Sequence, residues 1–140
     1  MDEDPEIRRI MDEKMERFLS RRLATDSHGS GQDGVIDVTD HDFDERIIRA
    51  SLPAVVDFWA SWCAPCADME PVFRRVAARH RGEVIFARLN IDANRSTAVA
   101  HFVGSIPTMI IFQGGEEKHR VVGRVSEQEL EMAIMAYISG

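Results

Sequence analysis

A continuous apolar stretch that leads into two cysteines constrains the fold of this chain more than any other feature. Residues 54–59 read AVVDFW, an apolar run interrupted by a single acid, Asp57. Such a run is typical of a strand that is buried on both faces of a sheet. Trp62, Cys63 and Cys66 follow shortly after it and open a helical segment. The pattern predicts a strand-to-helix junction that carries two thiols.

The spacing of the two cysteines favours redox chemistry. Two intervening residues let both sulfur atoms approach within bonding distance in the first turn of a helix. Cys63 would lie near the helix N-terminus, where unpaired backbone N–H groups and the helix dipole stabilise a thiolate. Thiols in such positions can have a pKa lowered to roughly 3.5–7.5, and the thiolate is the attacking species. Cys66, one turn further along, would be more buried and would act second.

Metal binding is the main alternative for such a pair, and the sequence disfavours it. A structural zinc site needs about four ligands, and the chain contains only these two cysteines. Pro65 also stiffens the spacer, which suits a defined disulfide better than a metal site. The histidines show no ligand spacing near the pair; they are His28, His41, His80, His101 and His119. We therefore expect a dithiol that cycles with a disulfide, and no metal site.

Length and charge limit the remaining classes of function. The chain has 140 residues, which predicts one domain at roughly 100–200 residues per domain. It carries 17 Lys and Arg against 24 Asp and Glu, a net charge of −7, which argues against a nucleic-acid or anionic-membrane partner. No apolar run approaches the ~18 residues of a membrane span. Acidic residues stand where a secretory signal would be basic, so we expect a cytoplasmic protein.

The N-terminal part of the chain differs in composition from the rest. Within residues 1–23, apolar side chains recur at three- and four-residue spacings and predict an amphipathic helix; they include Ile7, Ile10, Met11, Phe18 and Leu19. Residues 24–34 read ATDSHGSGQDG, which is typical of a flexible linker. The helix could dock on the rest of the chain, mediate self-association or bind a partner. Asp and Glu outnumber Lys and Arg by nine to six in residues 1–34, which disfavours a membrane surface.

Residues 35–140 alternate between short apolar runs and helical patterns. The predicted order, β-α-β-α-β-α-β-β-α, belongs to the α/β class, with a central mixed sheet covered by helices on both faces. Gly114 and Gly115 turn the fourth strand into the fifth, and these two strands should be antiparallel. The predicted strands cover 35–38, 54–59, 84–90, 109–112 and 118–122, and the predicted helices cover about 39–50, 63–80, 96–102 and 126 onward.

Two of these helices carry start signals. Thr39 or Asp40 can cap the first of them. Ser126 and Glu129 form a capping box for the last. Apolar residues at helical spacing predict the inward face of this last helix: Leu130, Ala133, Ile134, Tyr137 and Ile138.

An ordered set of short segments resembles the thioredoxin family. The segments are VVDFWASWCAPC, then Pro71, ARLNID at 87–92, SIPT at 105–108, GGE at 114–116 and VGR at 122–124. Together they cover about residues 35–140, nearly a whole thioredoxin domain. The resemblance implies the thioredoxin fold, preceded here by an extra N-terminal helix, and a protein disulfide reductase activity. It also implies client proteins that contain disulfides and a reductase or another thiol as electron donor. We expect no bound organic cofactor, because the sequence contains no Gly-rich phosphate loop.

The resemblance implies chemical roles for three residues. Cys63 looks like the nucleophile that attacks the client disulfide, and Cys66 looks like the thiol that resolves the mixed disulfide. Asp57 matches the family's buried acid near the resolving cysteine. Burial should raise the pKa of this carboxyl, and such a group can take the proton from Cys66; the alternative is a satisfied structural aspartate. Arg88 stands where the family commonly has a lysine near this acid.

A shallow docking surface is implied in the same way. Ile106 and Pro107 match the family's cis-proline loop, in which the Ile106 backbone would pair with client backbone like an added strand and Pro107 would exclude metal. The residues that match the surface are Trp62, Ala64, Pro65, Ile106, Pro107, Val122 and Gly123. Ala64 stands where the family most often has glycine. Asp68 makes the rim more acidic, and Arg124 partly offsets it.

Two other functions remain compatible with these residues. The domain could be a redox-gated adaptor whose N-terminal helix recruits a partner, or an oxidase or isomerase of exported proteins. The proline-containing spacer and the missing export signal favour a reductase over the latter. Deleting residues 1–33 would leave turnover intact in an enzyme and would remove the interaction in an adaptor.

Overall fold

The computed structural model describes residues 33–138. The predicted N-terminal helix (1–23) and residues 24–32 of the predicted linker lie outside the described residues. The elements, in chain order, are strand β1 (Ile36–Asp37), a short π-helix (Asp44–Ile48), β2 (Ala54–Trp59), helix α1 (Ala64–Arg79), β3 (Ile85–Asn90), helix α2 (Arg95–Ala100), β4 (Thr108–Gln113), β5 (Glu116–Val122) and helix α3 (Glu127–Ile138). The predicted order of strands and helices in this part of the chain is confirmed.

The five strands form one mixed sheet in the order β1-β3-β2-β4-β5. β3 pairs in parallel with β1 and β2, whereas β4 pairs antiparallel with β2 and β5. β2 is therefore the central strand, and all of its residues but Trp59 are fully buried. Phe58 near the end of β2 lies opposite Thr108 at the start of β4, so the residues that follow β2 and those that precede β4 meet at one edge of the sheet.

Helices cover both faces of this sheet, as predicted. One face packs under α1 and α3 through a cluster that includes Val55, Met69, Phe73, Phe86, Met109, Ile111, Leu130 and Ile134. The other face packs under the π-helix and α2 through a cluster that includes Ile47, Val56, Phe58, Leu89, Ala98, Ile110 and Phe112. Because successive side chains of a strand alternate between faces, Asp57 lies on the face that α1 covers.

The first helix after β1 is shorter than predicted. The sequence predicts a helix over about 39–50, but only Asp44–Ile48 is helical. Of the two predicted caps, Thr39 closes the turn that leads into this helix. Its Oγ1 accepts the backbone N–H of Asp42 at 3.3 Å, and its own backbone N–H donates to Asp42 Oδ1 at 2.7 Å, whereas Phe43, directly before the π-helix, makes no side-chain cap. The carboxylate of Asp40 instead accepts the backbone N–H of Thr97 at 2.8 Å, near the start of α2. A helix N-terminus accepts a carboxylate from any part of the chain that reaches it, so local sequence could not identify this partner.

The last helix begins with the predicted capping box. The backbone N–H of Glu129 donates to Ser126 Oγ at 3.0 Å, and the backbone N–H of Ser126 donates to Glu129 Oε1 at 2.9 Å. The two residues therefore satisfy each other's backbone donors and fix where α3 starts.

The predicted inward face of α3 is confirmed for all of its residues except Tyr137. Those that pack against the core are Leu130, Ala133, Ile134 and Ile138. Tyr137 is 43% exposed, and its ring stacks on that of His119 with the centroids 4.2 Å apart. His119 belongs to β5, an edge strand, so the tyrosine finds a surface partner there instead of a place in the core.

No helix between residues 33 and 138 is both long and apolar enough to cross a membrane.

Candidate active site

The cysteine pair lies at the junction between β2 and α1. Cys63 is the N-cap residue of α1, and its Sγ accepts the backbone N–H of Cys66 at 3.2 Å. Pro65 lies in the first turn, where its missing N–H leaves no helical hydrogen bond unmade. The two cysteines form a disulfide, with their Cα atoms 5.2 Å apart. Cys63 is 6% exposed and Cys66 is 1% exposed, so the first cysteine is the more accessible of the two.

The loop before β4 lies against this disulfide. The Ile106-Pro107 peptide bond is cis, as the resemblance implies. Cys63 Sγ lies 3.8 Å from the carbonyl oxygen of Ile106. The carbonyl oxygen of Pro107 accepts the backbone N–H of Gly123 at 2.8 Å. The fold thus brings together four predicted site residues from three separate segments of the sequence.

The rim around the pair is exposed. Trp62 is 66% and Val122 is 58% exposed, and Ala64 and Pro65 also face solvent. The indole N–H of Trp62 donates to Asp92 Oδ2 at 2.8 Å, which orients the ring. Sequence reasoning missed Asp92 as a partner of Trp62, because no local pattern indicates a contact between residues thirty positions apart.

Charge at the rim is balanced by an ion pair between Asp68 and Arg124, so the predicted offset of the acid by Arg124 is confirmed. Both side chains are more than half exposed, and a pair of this kind adds little to stability. Among the residues between 33 and 138, no group of three or more His, Cys, Asp or Glu side chains could hold a metal ion.

Asp57 is fully buried in β2. Arg88 stands opposite it in the register between β2 and β3, and Arg88 Nε donates to Asp57 Oδ2 at 3.2 Å. Asp57 Oδ1 has no hydrogen-bond partner within the described residues. Burial raises the pKa of Asp57 to about 6, although the positive charge of Arg88 acts in the opposite direction. A carboxyl with this pKa can exchange a proton near neutral pH.

Arg88 also belongs to a chain of charges that sequence reasoning missed. Arg88 Nη1 lies 3.4 Å from Glu70 Oε2, and the same oxygen accepts from Arg74 Nε at 2.9 Å. Arg74 Nη1 in turn lies 3.2 Å from Asp33 Oδ2. The guanidinium of Arg88 lies over the ring of Trp59, 4.3 Å from its centroid. Only the i,i+4 spacing of Glu70 and Arg74 is a sequence signal for any part of this chain.

Comparison with known proteins agrees with this geometry. The family model described as Thioredoxin matches residues 34–136. The thioredoxin of Porphyra purpurea is 38% identical over 105 residues, which are 75% of this chain and 98% of that protein. The thioredoxin of Synechocystis sp. is 39% identical over 101 residues, which are 72% of this chain and 94% of that protein. The chain belongs to the thioredoxin family.

A further relative is the Mycobacterium leprae protein named bifunctional thioredoxin reductase/thioredoxin. It is 41% identical over 99 residues, which are 71% of this chain and 21% of that protein. Membership of the thioredoxin family, together with the Cys63–Cys66 disulfide, makes this chain a protein-disulfide oxidoreductase that works by dithiol–disulfide exchange. The adaptor alternative is not favoured.

Proposed function

We propose that this thioredoxin-family domain reduces disulfides in client proteins, with Cys63 as the nucleophile and Cys66 as the resolving thiol. The observation that carries the proposal is the position of Cys63 at the N-cap of α1, next to the carbonyl group of Ile106 and bordered by an exposed rim. Once the pair is reduced, the helix N-terminus favours the thiolate form of Cys63.

In the first step, the Cys63 thiolate attacks one sulfur of the client disulfide. A bond forms between Cys63 and that sulfur, the client S–S bond breaks, and the second client sulfur leaves as a thiolate. The product is a mixed disulfide. Cys66 is more deeply buried than Cys63, which keeps it from competing for the client.

In the second step, Cys66 attacks Cys63 Sγ and releases the client. Cys66 must lose its proton first, and Asp57 takes it, since a carboxylate whose pKa is raised to about 6 is a suitable base near neutral pH. The bond between Cys63 and the client breaks, the Cys63–Cys66 disulfide forms, and the last client sulfur leaves as a thiolate. The two client thiolates take up protons from water and Asp57 returns its proton to water, so the net transfer from the domain to the client is two electrons and two protons.

The client lies across the rim as an extended segment. The Ile106 backbone pairs with client backbone as an added strand would, beside the sulfur of Cys63. The side chains around this segment determine which sequences fit; besides Ile106, the residues assigned to this surface are Trp62, Ala64, Pro65, Pro107, Val122 and Gly123.

A reductase or a small thiol returns the disulfide to the dithiol. The relative that carries both names in one protein supports a reductase as the donor. We assign the reaction to the cytoplasm, as part of electron transport and redox homeostasis, because a dithiol is regenerated in a reducing compartment. Some relatives carry a chloroplast location in their names, such as thioredoxin M2 of Arabidopsis thaliana. The net charge of −7 gives no reason to expect nucleic-acid or membrane partners.

The boundaries proposed from the sequence are an N-terminal amphipathic helix (1–23), a linker (24–34) and a thioredoxin domain (35–140). The helix is proposed to dock on this domain or to join two copies of the chain. Sedimentation of the full chain, compared with that of a chain that lacks residues 1–32, tests this assignment.

Replacing the nucleophile tests the first step. Cys63→Ser leaves no thiolate to attack the client, so we expect dithiothreitol-driven insulin reduction to fall to the uncatalysed rate. Ser61→Ala is the matched control, since Ser61 is exposed and lies outside the assigned chemistry. Undiminished activity in Cys63→Ser would exclude the mechanism.

Replacing the resolving thiol tests the order of attack. Cys66→Ser can still form the mixed disulfide but cannot break it, so client proteins should accumulate in covalent complexes through Cys63. Non-reducing electrophoresis followed by mass spectrometry of the trapped complexes measures this. Complexes that form through Cys66 in Cys63→Ser, and none in Cys66→Ser, would reverse the assignment.

A further inference from the structure

The guanidinium of Arg88 contacts two carboxylates at the same time. Its Nε donates to Asp57 at 3.2 Å, and its Nη1 lies 3.4 Å from Glu70. The Arg88 side chain is 6% exposed and that of Asp57 is fully buried, whereas the Glu70 side chain is 39% exposed. One buried cation thus joins the acid assigned to proton transfer with an acid at the surface of α1.

The charged groups around Asp57 come from two elements besides its own strand. β3 contributes Arg88, and α1 contributes Glu70 and Arg74. On β4, the residue opposite Asp57 is the apolar Met109. Asp33 completes the set indirectly, through its contact with Arg74; the described cysteines are joined in the disulfide.

Glu70 occupies a distinctive position in this arrangement. It lies one helical turn beyond Cys66 on α1, and its Oε2 contacts both Arg88 and Arg74. It therefore competes with Asp57 for one arginine while its own charge is partly neutralised by the other. None of the roles proposed above for the disulfide exchange reaction uses Glu70.

We propose that Glu70 is a positioning residue for the reaction: by sharing the guanidinium of Arg88, it sets how completely the charge of buried Asp57 is neutralised. The inference rests on the proposed role of Asp57 as the proton acceptor for Cys66. Glu70 has no assigned contact with the client or the reacting sulfurs, so it acts on Asp57 from a distance, through the shared Arg88 and through the charge of its own carboxylate.

Removal of the Glu70 charge changes the surroundings of Asp57 in one direction. The repulsion between the two carboxylates disappears, Arg88 is left to Asp57, and Arg74 loses one of its two acidic partners and keeps only Asp33. Each of these changes stabilises the ionised form of Asp57. Removal of Arg74 acts in the opposite sense, because a cation is lost and Glu70 is left to Arg88.

The experiment compares Glu70→Gln, Arg74→Gln and a matched control in the full chain. The control is Glu127→Gln, which removes the same charge from a glutamate that binds Arg75 and Arg79 instead of Arg88. The titration of the Asp57 carboxyl carbon is followed by NMR in the oxidised protein. We expect its midpoint to move by roughly half a pH unit to lower pH in Glu70→Gln, to higher pH in Arg74→Gln, and to stay in place in Glu127→Gln.

A second measurement separates this inference from the proposed function. The pH dependence of kcat/KM for client reduction should shift its acidic limb with the Asp57 midpoint, to lower pH in Glu70→Gln. A midpoint of Asp57 that does not move in Glu70→Gln, or that moves equally in Glu127→Gln, overturns the role of Glu70. If the midpoint moves but neither Glu70→Gln nor Asp57→Asn alters the rate profile, the proton-acceptor role of Asp57 fails, and the catalytic part of the inference fails with it.

Discussion

At the scale of single residues, Asp57 opposes folding at neutral pH. Burial raises the pKa of its carboxyl from 3.8 to about 6, so the folded protein binds this proton more tightly than the unfolded chain does. The folded protein is therefore most stable, with respect to this group, when Asp57 is protonated. That contribution to the free energy of unfolding is fully present below about pH 4 and is lost as the pH rises through 6. At pH 7 the loss amounts to about 3 kcal/mol, at roughly 1.4 kcal/mol for each pH unit.

Asp57→Asn is therefore expected to stabilise the oxidised protein. The gain should reach up to about 3 kcal/mol at pH 7 and should fade as the pH falls towards 4. Arg88 keeps Glu70 as a partner in this variant, which limits the penalty of leaving the cation buried. Urea unfolding between about pH 4 and pH 7 measures the difference, and the same variant should resolve mixed disulfides more slowly.

Asp40 is the control of opposite sign. Desolvation acts to raise the pKa of this carboxyl, but hydrogen bonds from Thr97 and Ser96 lower it below 3.8. Its stabilising effect is therefore present above about pH 4 and is lost as the pH falls through its lowered pKa. Asp40→Asn should destabilise the protein at pH 7, with a deficit that closes in acid. A gain in stability at pH 7 for both variants would contradict the electrostatic account of Asp57.

At this scale, functional residues can be predicted from the sequence where they form a local pattern. Cys63 and Cys66 are separated by one helical turn, and Asp57 interrupts an apolar run, so each is recognisable without a structure. Glu70 and Asp92 are not, because their partners are fixed by strand register and by the packing of α1 on the sheet. A local pattern contains neither of these.

At the scale of elements, the β4–β5 hairpin depends on two glycines. Gly114 and Gly115 both have positive φ, at 65° and 82°, as the two central residues of a tight hairpin turn require. A Cβ on Gly115 would lie 3.1 Å from the carbonyl oxygen of Ile48, whereas a Cβ on Gly114 would meet nothing within 4 Å. The second glycine thus allows the hairpin to pack closely against the end of the π-helix.

The two glycines give a matched pair of substitutions. Gly114→Ala should lower the free energy of unfolding by about 1 kcal/mol, because the only penalty is the strain of an alanine in the left-handed backbone conformation. Gly115→Ala should cost about 2–3 kcal/mol, because it adds a clash with a backbone atom that cannot rotate away. Chemical denaturation of both variants measures the difference. Equal losses would show that the contact with Ile48 does not limit the size of the residue at position 115.

The strands and long helices follow from the sequence more closely than the segment between β1 and β2. Apolar runs and capping residues are local signals, and they place β2, α1 and α3 correctly. The predicted helix over 39–50 is reduced to Asp44–Ile48, since the Asp40 carboxylate binds the backbone N–H of Thr97 near the N-terminus of α2. Tertiary contacts decide where that helix begins, and periodicity does not report them.

At the scale of the whole molecule, the helix that carries the cysteines is braced against α3 by ion pairs and by a hydrogen bond between His80 and Glu131. Glu127 contacts Arg75 and Arg79, and Glu131 contacts Arg79 and His80, at 2.6–3.1 Å. These contacts join two elements about fifty positions apart. On α1 these contacts are made by residues near its C-terminal end, whereas Cys63 and Cys66 lie at its N-terminal end, so the bracing contacts use none of the residues assigned to the client surface.

The positions of the assigned residues in the chain predict how the protein responds to removal of its N-terminal residues. The residues assigned to the reaction and to the docking surface lie between 57 and 123. The Porphyra and Synechocystis thioredoxins are covered over at least 94% of their own length by about three quarters of this chain. A chain that starts at Asp33 keeps the contacts of that carboxylate with Arg74 and with the N–H of Val35. We expect it to reduce insulin with a kcat/KM within about twofold of that of the full chain, since a change of that size is below 1 kcal/mol.

The same deletion separates two proposed properties of the molecule. If residues 1–23 join two copies of the chain, sedimentation should show a smaller species after deletion while turnover is unchanged. If they dock on the domain that carries them, the mass per particle should fall only by that of the deleted residues, and the thermal unfolding midpoint should drop. A large loss of kcat/KM in the truncated chain would contradict the assignment of the whole reaction to residues 35–140, because a group outside that range would then have to take part.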